Sequence, residues 1–465
     1  MIEAIHGVIN AISGFLYQPY IVPLFLIAAG LYFTVRTGFL QVRLFGESIK
    51  VVSEKPKDKR SVSSFGALMV STASRVGTGN IIGVSTAICL GGFGAIFWMW
   101  IIAFFGMATK YAEGLLAVKY REVDAQGHIS GGPMYYIKNG LGEKWKPLGT
   151  AFAIFGVLVA FFGIGTFAQV NSIVEITRIT AGIPVEATAA VLTVLVAAVT
   201  LGGLQSISRV AEKIVPAMAV IYCITTIGVL AYFWEAIPAA VSLVLESAFT
   251  GTAATGGFLG ATVMMAMQSG IARGLFSNES GLGSAPIVAA AAKTRWPAEQ
   301  GLVSMTGTFI DTIIICTLTG LTIIVTGQWT ADLNGAALTN AAFSTAYSSF
   351  GSGLLMVSLV LFAFTTILGW NYYGERCVEY LGGVKLIRPY RIIFILLVAC
   401  GAFLKLEAIW VLADIVNGLM AIPNLIALIG LSGVVVSETK LYFDHLAEEK
   451  EEEEKARTLA AESGK

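Results

Sequence analysis

Residues 71–80 read STASRVGTGN, and they interrupt a run of apolar residues that otherwise extends from about residue 64 to about residue 90. A helix in hydrocarbon satisfies its own backbone. A Gly-x-Gly-Asn run preceded by Arg75 is therefore costly at membrane depth unless protein or a water-filled cavity takes up the freed groups. That the flanks span a membrane follows from composition: 56% of the 465 residues are hydrophobic and 13% charged, against roughly 25% charged in soluble domains. The chain reads as an all-α polytopic membrane protein. Its net charge is zero and its basic residues are scattered, so it offers no basic face to nucleic acid. The five cysteines lie in or beside apolar runs with no C-x-x-C pair and read as packing residues. The start, MIEAIHGVIN, carries no Lys or Arg and no obvious small-residue cleavage site, so it is expected to stay in the mature chain.

Apolar stretches of about 20 residues, the length that crosses roughly 30 Å of hydrocarbon, predict eleven transmembrane helices. They fall near 17–36, 64–90, 93–119, 148–175, 184–203, 208–234, 253–292, 299–327, 350–375, 390–405 and 407–436. Alternate intervals collect 25 of the 30 Lys and Arg, the opposite set holds only Arg178 and Lys405, and Arg75, Lys110 and Arg273 fall inside the apolar segments. By the positive-inside rule the N-terminus is expected outside the cell membrane and the C-terminus in the cytoplasm. The tail HLAEEKEEEEKARTLAAESGK reads as a solvated or frayed helix.

A second apolar segment is also interrupted, near Gln268 to Gly283, five helices after the first. With one N-terminal extra helix set aside, the other ten form two groups of five, each opening on a broken helix. An odd number of spans per group forces opposite orientations, so the pattern predicts a 5+5 inverted repeat. The corresponding divisions are 1–62 (extra helix and loop), 63–234, 235–437 and a charged tail, 438–465. Paired interruptions of this kind mark transporter binding sites at the bilayer midplane. At the first, N–H groups freed at Thr78 and Gly79, beside Asn80, suit an anion such as a carboxylate, and carbonyls freed near Ala73 and Val76 suit a hard monovalent cation. The competing reading is a small-residue packing motif.

Other polar residues inside apolar segments need partners. In MAMQSGIARGLFSNESGLGSAP, Gln268, Ser269 and Gly270 fall about halfway along the span, where they can meet an amino acid. Arg273, Asn278 and Glu279 lie further along and suit a gating or charge network with Arg75. Thr365 and Thr366 offer two hydroxyl oxygens to a cation such as sodium, and Trp370, a turn on, either walls a pocket or packs. GIGTFAQVNS offers Phe167, Gln169 and Asn171, with Phe167 as a pocket cap. Asp311, a carboxylate in mid-span, is placed to neutralise Arg75 or Arg273 or to carry a proton, and Lys110 and Glu113 are spaced to pair with each other.

GGFGAIFWMWIIAFFG at 91–106, with ASRVGTGNI and SGIARGLFSNESGLGSAP, resembles the alanine or glycine:cation symporters, also called sodium:alanine symporters. The similarity covers roughly residues 15–440. It implies a leucine-transporter-type fold, of the amino acid/polyamine/organocation superfamily, with an extra N-terminal helix, and uptake of alanine or glycine driven by sodium or, in some members, protons, with no other cofactor. By this analogy Thr78 and Gly79 bind the substrate carboxylate. The carbonyls of Ala73, Val76 and a residue near Phe362, with the hydroxyls of Thr365 and Thr366, form the sodium site. A proton-coupled carrier using Asp311 or Glu279 is the alternative. An ion channel would draw its symmetry from several subunits, and no H-E-x-x-H or nucleophile–base constellation points to an enzyme.

Overall fold

The computed structural model describes residues 11–18, 21–53, 64–123, 129–250, 262–294, 296–331, 333–404 and 406–463. These are nearly all helical. The two strands among them, Glu122–Val123 and Ile129–Ser130, pair antiparallel in a loop. Helix α1 is Val22–Arg36, and α2, Phe45–Ser53, is a short amphipathic helix after it. The interrupted segment is α3 (Ser64–Arg75), a 3-10 turn (Thr78–Asn80) and α4 (Ile82–Gly91), followed by α5 (Gly94–Lys119). Next come α6 (Lys146–Phe162), α7 (Phe167–Ala181), α8 (Val185–Thr200), α9 (Gly203–Tyr232) and α10 (Ile237–Thr250). The second interrupted segment is α11 (Val263–Asn278) and α12 (Ala285–Ala289). After it run α13 (Pro297–Thr308), a π-helical stretch (Phe309–Cys316), α14 (Thr317–Val325), α15 (Gly335–Gly382), α16 (Ile387–Gly401), α17 (Leu406–Gly430) and α18 (Ser432–Ser463).

Six helical stretches among the described residues are long and apolar enough to cross a membrane, and α1, α4 and α8 are shorter apolar helices. The most enveloped is α5, whose apolar window is 83% buried. It is the axis against which α11, α12 and α13 pack.

Several boundaries differ from those read off the sequence. The segment 148–175 is two helices, broken at 163–166. There Thr166 donates to Ala160 O (2.6 Å) and Gln169 Nε2 to Ile164 O (2.9 Å), satisfying carbonyls that the break frees. The span at 350–375 belongs to the longer α15, kinked at Ser348 with φ 52°, and α10 is a further helix outside the eleven. Part of the first loop and residues 251–261, where the seventh predicted helix begins, lie outside the described residues. The second break is at 279–284, past most of the stretch expected to be irregular: Glu279, Gly281 and Gly283 have positive φ (54°, 88° and 86°), whereas Gln268 to Asn278 is regular helix. Residues 438–463 continue α18 without interruption.

Because lipid gives helices no hydrophobic reason to associate, close approach at small residues carries the packing. Gly270 is such a point: a Cβ there would lie 2.3 Å from Ala95 O of α5. Gly270→Ala should therefore destabilise the purified protein by about 1–3 kcal/mol, read as a lower midpoint of thermal unfolding in detergent. Gly353→Ala, where a Cβ meets nothing within 4 Å, should leave the midpoint unchanged or slightly raised.

Candidate substrate and cation site

At the first break α3 ends on Arg75, Gly77 is extended, and the chain turns once before α4. Asn80 closes the turn on itself: its Oδ1 accepts the Gly77 N–H at 3.0 Å. The Thr78 N–H, one of the two expected to await an anion, donates to Gln169 Oε1 at 3.2 Å. The Thr78 hydroxyl is fully buried and makes no hydrogen bond. Helix α15 crosses this turn closely. A Cβ on Gly77 would sit 2.4 Å from Thr366 Oγ1 and 3.1 Å from Gln169 Oε1, so glycine is what lets three elements converge.

Of the oxygens expected to hold a cation, the structure brings three together. Thr366 Oγ1 lies 3.0 Å from Ala73 O, across from α3, and 2.9 Å from Phe362 O on its own helix. Thr365 turns the other way: its hydroxyl bonds back to Leu361 O and Phe362 O, both at 3.0 Å, and faces Met218 Sδ of α9 at 3.5 Å. Val76 is fully buried beside the break.

The first break and the end of α11 meet through Asp311. Its Oδ1 accepts from Asn80 Nδ2 (2.8 Å) and its Oδ2 from the Ser277 and Thr312 hydroxyls (both 2.7 Å). The π-helical stretch widens the turn here, placing Asp311, Thr312 and Cys316 on this junction. All of its hydrogen-bond partners are neutral, and Arg75 is the cation that acts on it electrostatically. Arg273 is instead ion-paired to Asp414 of α17, a residue the sequence reading passed over although it satisfies the same criterion as Asp311. Arg75 donates Nε–H to Ser71 O at 2.9 Å, and its buried terminal nitrogens make no hydrogen bond.

Glu279 caps the other side of the second break. Its carboxylate accepts Trp370 Nε1–H (2.9 Å) and the Ser284 hydroxyl (2.5 Å). Trp370 is thus a tether between α15 and the break, fully buried and edge-on to Tyr373. The direct contacts within the expected charge network pair Arg273 with Asp414, Glu279 with Trp370, Asp311 with Asn80 and Arg75 with the backbone, while Arg75 also acts electrostatically on Glu279 and Asp311.

Other expected contacts lie elsewhere. Gln268 and Ser269 sit well before the break and line a cavity of about 350 Å³ with Tyr17, Arg273 and Asp414; Ser269 donates to Ala87 O at 3.3 Å. Gly270 is a packing contact with α5. Phe167 packs on Gly401 of α16, and Asn171 donates to Leu404 O at 2.7 Å. Residues i and i+4 share a helix face and i+2 points away from it, so with 167 and 171 turned to α16, Gln169 is the residue of this trio that reaches the first break.

The fold is that of leucine-transporter-type membrane transporters. The crystal structure of MhsT in complex with L-phenylalanine superposes with a TM-score of 0.55 at 13% identity, covering 83% of this chain and 99% of that one. The chain belongs to the sodium:alanine symporter family, whose profile matches residues 2–456. A transporter of Haemophilus influenzae is 54% identical over 445 residues, 95% of this chain and 97% of its own. The sodium/alanine symporter AgcS of Methanococcus maripaludis is 48% identical over 445 residues (94% and 97%), and the probable sodium/glutamine symporter GlnT of Bacillus subtilis 39% over 429 (90% and 86%). The chain is accordingly a multi-pass membrane transporter and not an enzyme.

Asn80 is the side chain that joins the first break to Asp311, so Asn80→Ala leaves a buried carboxylate short of a donor. It should cost about 2 kcal/mol of stability. A thermal-unfolding midpoint equal to that of wild type would remove Asn80 from this role.

Proposed function

We propose that this chain is a sodium-coupled symporter that carries small neutral amino acids, alanine or glycine, into the cell by alternating access. The observation that carries the reading is the convergence of Ala73 O, Phe362 O and Thr366 Oγ1 beside the Thr78 turn. Oxygen donors from α3 and α15 meet one turn away from a buried, unpartnered hydroxyl. A sodium ion accepted there, with Val76 O and Thr365 contributing after small shifts, ties α3 to α15 and preorganises the turn that receives the substrate.

In this reading the substrate carboxylate is held by Thr78 and Gly79, displacing the Gln169 carboxamide oxygen from the Thr78 amide, and Asn80 orders the turn. Thr366 and Trp370 face the remainder of the site; Phe167, Asn171, Gln268, Ser269 and Gly270 contribute through packing and access. Arg273 with Asp414 closes one approach, while Arg75 and Glu279 lie on the other. Sodium and substrate each raise affinity for the other by the same factor. Membership in the family and the name of the Methanococcus maripaludis relative support alanine and sodium over the glutamine named for the Bacillus subtilis one.

The proposal includes eleven transmembrane spans: an extra N-terminal helix, a first repeat at 63–234 and an inverted second repeat at 235–437, with the N-terminus outside and the C-terminus cytoplasmic. It is supported by the alternation of basic residues and by a broken helix at the head of each group. The neutral partners of Asp311 favour one second reading, in which this carboxylate carries a proton as coupling ion.

Uptake of radiolabelled alanine into proteoliposomes decides between them. An inward sodium gradient should drive accumulation in wild type, an equal potassium gradient should not, and Thr366→Ala should need at least about tenfold more sodium. Uptake indifferent to sodium and driven by an inward proton gradient would transfer the coupling role to Asp311 or Glu279.

A further inference from the structure

The second break frees backbone groups from the helical pattern, among them the carbonyl of Glu279, at the end of α11, which also accepts the Leu282 N–H in a turn at 3.2 Å, and the N–H groups of Gly281 and Gly283 ahead of α12. Two neighbouring side chains of α5 meet them. Lys110 Nζ donates to Glu279 O at 2.7 Å. Glu113 Oε1 accepts from Gly281 N and Gly283 N, both at 3.1 Å, and from Asn424 Nδ2 of α17 at 2.7 Å. Asn424 also donates to Gly281 O at 2.9 Å and accepts from the Tyr136 hydroxyl. Lys110 and Glu113 themselves lie 3.3 Å apart, with fully buried side chains. The spacing that marks them as an i, i+3 pair thus understates what they contact.

The chemistry of the two ends is not interchangeable. An ammonium has three donors and no acceptor, and a carboxylate has only acceptors. Lys110 can therefore serve the carbonyl and Glu113 the amides, and the reverse assignment leaves every one of these backbone groups opposed by its own kind. Each unsatisfied group at this depth is costly. The same segment carries the Glu279 side chain, whose carboxylate holds Trp370 Nε1–H. At the far end of α12, Arg121 Nη1 donates to Ala290 O (3.0 Å) and Ala292 O (2.8 Å).

We infer that Lys110 and Glu113 form a polarity-matched bracket that fixes the unwound segment 279–284 to α5 and, through Glu279, sets the position of Trp370 at the substrate site. They are positioning residues, acting through backbone they hold rather than on the substrate. This rests on the transport reading of the site where uptake is measured; backbone exchange tests the bracket independently of it.

The test uses full-length protein carrying Lys110→Met, Lys110→Arg, Glu113→Gln, or the exchange Lys110→Glu with Glu113→Lys. Hydrogen–deuterium exchange of peptides covering 279–284 should rise at least about tenfold for Lys110→Met. It should rise less for Lys110→Arg, which keeps a donor, and for Glu113→Gln, which keeps an acceptor oxygen. In proteoliposomes Lys110→Met should raise the KM for alanine about tenfold with a smaller change in maximal rate, and Lys110→Arg should recover most of it. The exchanged pair keeps both charges adjacent but reverses the polarity match, and should be worse than either single substitution, up to loss of folded protein. The inference is overturned if the exchanged pair performs at least as well as the singles, which would leave only an ion pair. It is equally overturned if Lys110→Met leaves exchange at 279–284 at the wild-type rate. Failure of wild-type protein to accumulate alanine would instead count against the transport reading, with the exchange data still deciding on the bracket.

Discussion

A backbone N–H or C=O in hydrocarbon has to find its partner within the protein, and the described residues hold three helix interruptions around the candidate site. Each is resolved differently. At the first break Asn80 closes the turn and Gln169 covers the Thr78 amide. At the second, charged side chains of α5 and the carboxamide of Asn424 do so. At the third, between α6 and α7, Thr166 and again Gln169 take up freed carbonyls. The Gln169 carboxamide therefore serves two breaks at once, its nitrogen donating to one and its oxygen accepting from the other, which locks the α6–α7 bend to the candidate substrate turn.

The breaks differ in what is left over. The second is satisfied by resident charges, so it holds its shape without a ligand. The first is held by neutral groups: a carboxamide oxygen on the Thr78 amide, and a threonine hydroxyl placed between two carbonyls. In the proposed function, that asymmetry places ligand binding chiefly at the first break. Asp311 connects the first break to the end of α11, just ahead of the second, touching Asn80 and Ser277.

Much of this was legible in the sequence where a residue type contradicts its surroundings. Gly77 to Asn80 stands out in an apolar run, and that break lies where it was read. The second was expected early because Gln268, Ser269 and Arg273 raise local polarity, yet polarity does not unwind a helix, and the chain leaves α-geometry only at the Glu279–Gly281–Gly283 sequence. The third went unread because glycines are common in membrane helices, and nothing in GIGT announces that α15 brings Trp370 against it. A Cβ on Gly165 would lie 2.9 Å from Trp370 Cβ. Which of Phe167, Gln169 and Asn171 reaches the break depends on which face of α7 looks inward, and that is set by α16, far away in sequence. Partner choice among buried charges has the same origin: Asp414 and Asp311 are alike in local context and differ only in which helices pack against them.

The central claim is that cation and substrate occupy one coupled site at the first break. Its most direct test is the dissociation constant of alanine measured by calorimetry on purified protein across a range of sodium concentrations, with the converse titration of sodium at fixed alanine. The account predicts that sodium tightens alanine binding and that alanine tightens sodium binding by the same factor, with the linkage lost in Thr366→Ala. Alanine affinity that is unchanged from zero to saturating sodium would contradict it.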